Sequence, residues 1–143
     1  GHLQRNKVAV ALDLFDILQS VDSERLAEAI SAQATRPVRV LIEVNVSGEA
    51  SKYGVALDEV SGFAERTGGL PNIELIGLMT VAPQVDDPED VRSVFRTLHR
   101  LRDAVGLREL SMGMTDDFEV AVEEGSTLVR VGRAIFGPPP RAG

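Results

Sequence analysis

The chain has 143 residues, 43% of them hydrophobic, which suits one domain with a substantial core. Fifteen basic against twenty-two acidic residues give a net charge of −7, and with no basic patch in view this excludes nucleic acid and membrane surfaces as expected partners. The lack of cysteine excludes disulfides, thiolate metal sites and cysteine nucleophiles and fits a reducing compartment, by default the cytoplasm. No apolar run approaches the roughly 20 residues of a bilayer span, and lysine chemistry has two candidates, Lys7 and Lys52.

Phe15 to Val21 predicts a strand, and Asp22-Ser23 caps a helix in which Leu26, Ala27 and Ile30 recur at helical spacing. Val38 to Val46 is a near-continuous apolar run, the form a strand takes when a parallel sheet is covered on both faces. It runs into the polar loop Ser47 to Gly54. Asp58 opens a helix with Val60, Phe63 and Ala64 inward, and Gly68-Gly69 is expected to end it by supplying positive φ. Ile73 to Met79 is the third strand, and the loop Thr80 to Asp87 leads to Pro88 at a first helical position. Val91, Val94, Phe95, Leu98, Leu101 and Val105 then form an amphipathic stripe, with Arg92, Arg96, Arg100 and Arg102 on the polar face. Short strands are expected at Glu109 to Ser111 and Leu128 to Val131, on either side of a helix from Thr115 or Asp116 to Gly125. Pro138-Pro139-Pro140 ends regular structure.

Strand and helix alternating in this way predict a single α/β domain over residues 1–143, with a parallel sheet and right-handed crossovers. Periodicity leaves open whether the sheet is doubly wound or part of a (β/α)8 barrel. A whole barrel takes about 250 residues, so this chain holds only a little over half of one.

Both architectures place ligands at the carboxyl ends of the strands. Ser111-Met112-Gly113-Met114-Thr115-Asp116-Asp117 offers backbone N–H groups and the Thr115 hydroxyl to an anion, or else Thr115 or Asp116 simply caps a helix. In Val129 to Gly137, Gly132 permits close backbone approach and Arg133 stands at a helix start, which suits a phosphate. Arg130, between valines in an apolar strand, is either at an edge in water or inside a site. Asn45 orients a ligand or forms a turn, and Met79 packs on an aromatic ring or in the core. His2 and His99 show no partner at useful spacing, and Glu123-Glu124 and Asp86-Asp87 read as solvated helix-end charges.

Five stretches together resemble the YggS/PROSC family of pyridoxal-phosphate homeostasis proteins, relatives of the alanine racemase N-terminal barrel. They are Gly1 to Lys7, Leu41 to Gly54, Glu74 to Pro83, Leu110 to Asp117 and Gly125 to Gly137, and Leu-Ser-Met-Gly-Met-Thr-Asp-Asp with Val-Arg-Val-Gly-Arg-Ala-Ile-Phe-Gly is the specific part. The resemblance implies a partial (β/α)8 TIM barrel comprising roughly the last five strands, with pyridoxal 5′-phosphate at the mouth. It assigns the 5′-phosphate to Thr115 and the backbone of Gly132 and Arg133, puts Arg130 near the pyridine nitrogen, and has Asn45 and Met79 line the mouth. Many members have serine where this chain has Thr115, which keeps the hydroxyl.

The family's Schiff-base lysine lies on the first barrel strand, and neither Lys7 nor Lys52 matches it. The resemblance therefore implies a non-catalytic cofactor carrier or buffer whose covalent anchor lies outside these residues. Alternatives are a racemase-like enzyme, which needs a base on each face of the cofactor, or a remnant that binds nothing. A phosphate or sulfate anion is the simplest ligand. Self-association, or pairing with the missing N-terminal fragment, is expected to cover the open sheet edge.

Overall fold

The computed structural model describes residues 1–139, so Pro140 of the proline tail lies outside the described residues. A 3₁₀ turn leads into α1 (Val8–Leu14), followed by β1 (Ile17–Val21), α2 (Glu24–Gln33), β2 (Val38–Asn45) and the two-residue β3 (Val55–Ala56). Next come α3 (Val60–Gly68), β4 (Ile73–Met79), α4 (Arg92–Ala104), β5 (Glu109–Ser111), α5 (Phe118–Glu123) and α6 (Arg133–Phe136).

The sheet runs β1-β2-β4-β5 with every pair parallel, and β3 adds a short rung beside the end of β2. The strands advance across the sheet in chain order without reversal. That is the order of a barrel wall, whereas a doubly wound sheet reverses at its switch point. The sheet also curves: Ser111 on β5 donates a hydrogen bond to Gln19 on β1, although two strands lie between them. Only a concave inner face brings those side chains together.

The two faces differ in kind. Leu18, Val40, Ile42, Val44, Leu78 and Leu110 point outward into the main core, where they meet Leu26 and Ile30 of α2, Phe63 of α3, and Phe95 and Leu98 of α4. Phe95 and Leu98 are fully buried, the outcome expected of the amphipathic stripe. On the inner face Leu41, Ile76 and Met79 form a separate, smaller cluster with Ile17 and Leu128. Gly77 lets β5 close against β4, because a Cβ there would lie 2.2 Å from the carbonyl oxygen of Glu109.

Helix starts follow the sequence signals. The Ser23 hydroxyl accepts from the Leu26 N–H at 3.2 Å, and the Asp87 carboxylate accepts from the Glu89 N–H at 3.0 Å, with Pro88 at the first position of the turn before α4.

Four expectations need correction. α1 was not foreseen, since only Val8 and Ala11 of its seven residues are buried and so short a helix shows no stripe. The end of α3 uses no positive φ: Gly69 has φ −83°, and the left-handed residue is Asn72 at φ 58°. Asn72 tolerates this conformation because its side chain donates to the Ala34 carbonyl at 3.0 Å. Leu128 to Val131 is not a strand, for only Leu128 bridges to Ser111 before the chain turns so that the Arg130 N–H reaches the Gly113 carbonyl at 2.9 Å. The helix expected from Thr115 or Asp116 begins at Phe118, because the Asp117 carboxylate accepts from the Met114 N–H at 2.7 Å and holds the preceding residues in a turn.

Candidate functional site

Three of the six candidate residues share one cavity. Thr115, Gly132 and Arg133 line a space of about 710 Å³ at the carboxyl ends of β4 and β5, with the loop Val81 to Asp86 as its opposite wall. The loop after β5 and the segment before α6 form this cavity together because the Arg130 N–H to Gly113 carbonyl bond ties one to the other. Gly113 adopts φ 99°, and a Cβ there would come within 2.7 Å of Ala121, so this turn requires glycine. At Gly132 a Cβ would meet nothing within 4 Å, which leaves that backbone open to an incoming group.

The polar groups of this cavity partner one another. The Thr115 hydroxyl accepts from the Ala134 N–H at 3.3 Å, and the Arg133 guanidinium is ion-paired with Asp116. Both interactions are solvent-exposed and weak enough for an anion to exchange with them.

Arg130 is inside, not at a wet edge. One terminal nitrogen donates to the Ser111 hydroxyl at 2.6 Å and the other to the Thr80 carbonyl at 2.9 Å, while the Ser111 hydroxyl itself donates to the Gln19 side-chain oxygen. Burial pulls the Arg130 pKa down, opposed by the negative charges of Glu43 and Asp117. Arginine starts so high that the cation persists at neutral pH. Thr80 is itself fixed, as its buried hydroxyl donates to the Val44 carbonyl at 2.7 Å.

The remaining two candidates sit elsewhere. Asn45 is a turn-former, its side chain donating to the Glu49 carbonyl at 2.8 Å and accepting from the Gly48 N–H at 3.1 Å. It also lines a second, smaller cavity of about 200 Å³ with Glu43, Lys52 and Tyr53, and this space shares Val81 with the first. Met79 is 5% exposed within the inner cluster, in the role of a core methionine.

Sequence reasoning missed Glu43, which is 8% exposed on the inner face of β2. Burial and then the charge of Asp22 raise its pKa, against the amino terminus, Arg130 and His2. The available signal was a lone carboxylate within the apolar run Val38 to Val46. Gln19 and the hydroxyl of Ser111 were likewise passed over, being ordinary polar residues in strands.

The two histidines do have partners. His2 lies 3.1 Å from the Asp22 carboxylate and stacks on Tyr53 with ring centroids 3.9 Å apart, while His99 meets the Glu124 carbonyl at 2.7 Å and Asp103 at 3.5 Å. Glu123 and Glu124 are not simply solvated either. Arg92 bridges Glu89, Glu123 and Glu124, and Arg96 joins Glu124, so the ion pairs clamp α4 to α5. Lys52 pairs with Glu49 at 3.5 Å, and Lys7 is exposed.

The family model for the alanine racemase N-terminal domain matches residues 1–140. The pyridoxal phosphate homeostasis protein of Aquifex aeolicus (strain VF5) is 45% identical over 146 residues, covering 96% of this chain and 64% of that protein. Its Homo sapiens counterpart is 37% identical over 155 residues, covering 96% and 56%. This chain thus spans roughly three fifths of the length of these relatives. Among solved structures, PipY of Synechococcus elongatus PCC7942 with PLP bound superposes with a TM-score of 0.87 at 30% identity, covering 96% of this chain and 68% of that one. Alanine racemase from Corynebacterium glutamicum shares the fold, with a TM-score of 0.72 at 23% identity over 95% of this chain and 40% of that one. On the match over residues 1–140 and the likeness to PipY, the chain belongs to the alanine racemase N-terminal domain family and, within it, to the YggS/PROSC family.

Proposed function

We propose that this chain binds pyridoxal 5′-phosphate as part of a protein that stores and hands on the cofactor within the cytoplasm, without turnover of its own. One observation carries the reading: Thr115, Gly132 and Arg133 converge on a single open cavity, with the Arg130 guanidinium fixed beside it. The relatives' names and the PLP in PipY support it. The donor set suits the group, since a hydroxyl, a backbone unobstructed at Gly132 and a guanidinium are what a phosphate monoester requires.

In this assignment Thr115 and the backbone of Gly132 and Arg133 hold the phosphate, and Arg133 leaves Asp116 for it. Arg130 faces the pyridine nitrogen. The bound cofactor supplies an electron-withdrawing ring, and a fixed cation at that nitrogen weakens it by opposing protonation. Asn45 and Met79 act at the periphery, through the turn after β2 and the packing under the mouth. A racemase would need two bases, and Tyr53, the only tyrosine, is stacked on His2.

We read residues 1–143 as the C-terminal portion of one barrel domain, roughly its last five strands, with the cofactor lysine on a segment outside them. Among the described residues no strand pairs with the outer edge of β1. Self-association, or pairing with the rest of the barrel, would cover it. Size-exclusion chromatography coupled to light scattering tests this, and a strictly monomeric, cooperatively melting chain would count against it.

Thermal melts with inorganic phosphate and with pyridoxal 5′-phosphate test the binding itself. Ligand at 100 times its Kd should add about 2.7 kcal/mol of stability, and Thr115→Val with Arg133→Ala should abolish the gain. No shift with either ligand would favour a remnant that binds nothing. Borohydride reduction followed by mass measurement should give no adduct at Lys7 or Lys52.

A further inference from the structure

Arg130 is held at both of its terminal nitrogens, and the two supports differ in stiffness. One nitrogen donates to the Thr80 carbonyl at 2.9 Å. Thr80 is locked in turn, its hydroxyl bonded to the Val44 carbonyl at 2.7 Å and its N–H to the Ser111 carbonyl at 3.1 Å. The other nitrogen donates to the Ser111 hydroxyl at 2.6 Å. A hydroxyl turns about a single bond, so it aims a lone pair at the guanidinium only while its own proton is held.

The group that holds this proton comes from the opposite side of the concave face. Ser111 is fully buried, so its proton needs an acceptor within the protein, and a guanidinium, which only donates, supplies none. The side-chain oxygen of Gln19 on β1 accepts it, across the two strands that separate β1 from β5. The chain of donors therefore runs one way, from Arg130 to Ser111 and from Ser111 to Gln19. Gln19 does not line the phosphate cavity. Its link to Arg130 in this network is Ser111.

We propose that Gln19 is a positioning residue for Arg130. By holding the Ser111 proton it aims the Ser111 lone pair, and through it the edge that the guanidinium offers to the cofactor ring. This rests on the reading above that puts Arg130 at the pyridine nitrogen. A cation opposes protonation of that nitrogen only while it is aimed at it, so loss of the Gln19 acceptor should let the nitrogen keep its proton to higher pH.

Pyridoxine 5′-phosphate is the probe, since it has the ring and the phosphate but no aldehyde to condense with a lysine or the amino terminus. Ring absorbance followed against pH at saturating ligand reads the protonation of the nitrogen. Gln19→Met and Arg130→Met remove the polar groups and keep unbranched side chains in their place. In the unaltered chain the nitrogen should titrate below its position in the free ligand. Arg130→Met should return it to that position, and Gln19→Met should raise it by about half a pH unit, the scale of one net hydrogen bond. In the double variant Gln19→Met should add nothing, as expected when one residue acts through the other. Glu43 and Asp117, whose charges act on Arg130, are the same in every variant. Calorimetry with inorganic phosphate should give unchanged affinity in Gln19→Met, which shows that it folds with the phosphate site intact.

An unmoved titration in Gln19→Met would overturn the proposal. So would a shift that recurs undiminished in the double variant, which would mean direct contact with the ring, or loss of inorganic phosphate binding in Gln19→Met, which would mean a structural role only. If Arg130→Met leaves the titration unmoved, or the unaltered chain does not bind the probe, the placement of Arg130 fails and the proposal falls with it.

Discussion

Substituting Gly77 by alanine tests the closure of β4 on β5, on which the site depends. The added Cβ would stand 2.2 Å from the Glu109 carbonyl oxygen and 2.7 Å from its carbonyl carbon. Both are backbone atoms, so no rotamer change relieves the overlap, and β5 must retreat by most of an ångström. The ladder between the strands has only three register pairs, Gly77 with Glu109, Leu78 with Leu110 and Met79 with Ser111. Disturbing them also strains the bond from the Thr80 N–H to the Ser111 carbonyl, at 3.1 Å. Overpacking together with one or two weakened hydrogen bonds amounts to about 3 kcal/mol, and in a chain of this size that lowers Tm by roughly 10 °C. Gly62→Ala is the matched control. Its Cβ would meet only the end of the Arg66 side chain, at 3.0 Å, within α3. There the helix gain of about 0.5–1 kcal/mol should raise Tm slightly. Urea and thermal melts followed by circular dichroism read both. A Gly77→Ala chain that melts within 1 °C of the parent would refute the described closeness of the strands.

Three other substitutions probe the polar groups. Ser111→Ala takes an acceptor from Arg130 and a donor from Gln19, and is expected to cost about 1–3 kcal/mol in a denaturant melt. Glu43 has its pKa raised in the folded chain, so the folded state holds more protons than the unfolded one between the two values, and stability falls as pH rises through that window. Glu43→Gln should remove this fall and stabilise the chain at neutral pH but not below the ordinary carboxylate range, as melts across pH would show. Glu89 and Glu124 are shifted the other way, chiefly by hydrogen bonds from Arg92 to the first and from Arg96 and Arg92 to the second. Their contribution is complete above the unfolded value and lost as pH falls, so Arg92→Ala should move the acid-unfolding midpoint to higher pH.

Much of the fold could be read from the chain. The third strand, Ile73 to Met79, was legible to the residue and β2 to within one, because each is a compact apolar run bounded by polar residues. The long helix was legible from a stripe that folding buries at Val91, Phe95 and Leu98. What failed was local and depended on tertiary contacts. The stretch after Gly125 has the composition of a strand, yet β5 is only three residues long and offers Leu128 a single rung. The helix end at Gly69 looked like a left-handed cap, but the turn was taken over by Asn72 and its bond to Ala34.

The candidate site divides in the same way. Thr115, Gly132 and Arg133 carry a local signal, a glycine beside a helix start, and they meet in one cavity. Arg130 could be flagged but not placed, since a charge in an apolar strand is informative only once the curvature of the sheet is known. Glu43 illustrates the limit. Its neighbours in sequence are Ile42 and Val44, and nothing adjacent shows that it would face Arg130 across the concave surface without touching it.

Stability alone does not explain that inner surface. Leu41, Ile76 and Met79 demonstrate that the concave face can hold an apolar cluster, and replacing buried charges by packed apolar residues is often neutral or stabilising. A structural pair would also be in contact. Arg130 and Glu43 are instead held apart, the cation braced by Ser111 and Thr80 and the anion left without a partner among the described residues. Bracing the cation through Ser111 and Thr80 fixes one point of the concave wall, as the proposed place of Arg130 beside the cofactor ring requires. The apolar cluster beneath gives that wall its rigidity, and the outer core, fully buried at Ile42, Leu78 and Leu110, fixes the strands that carry it.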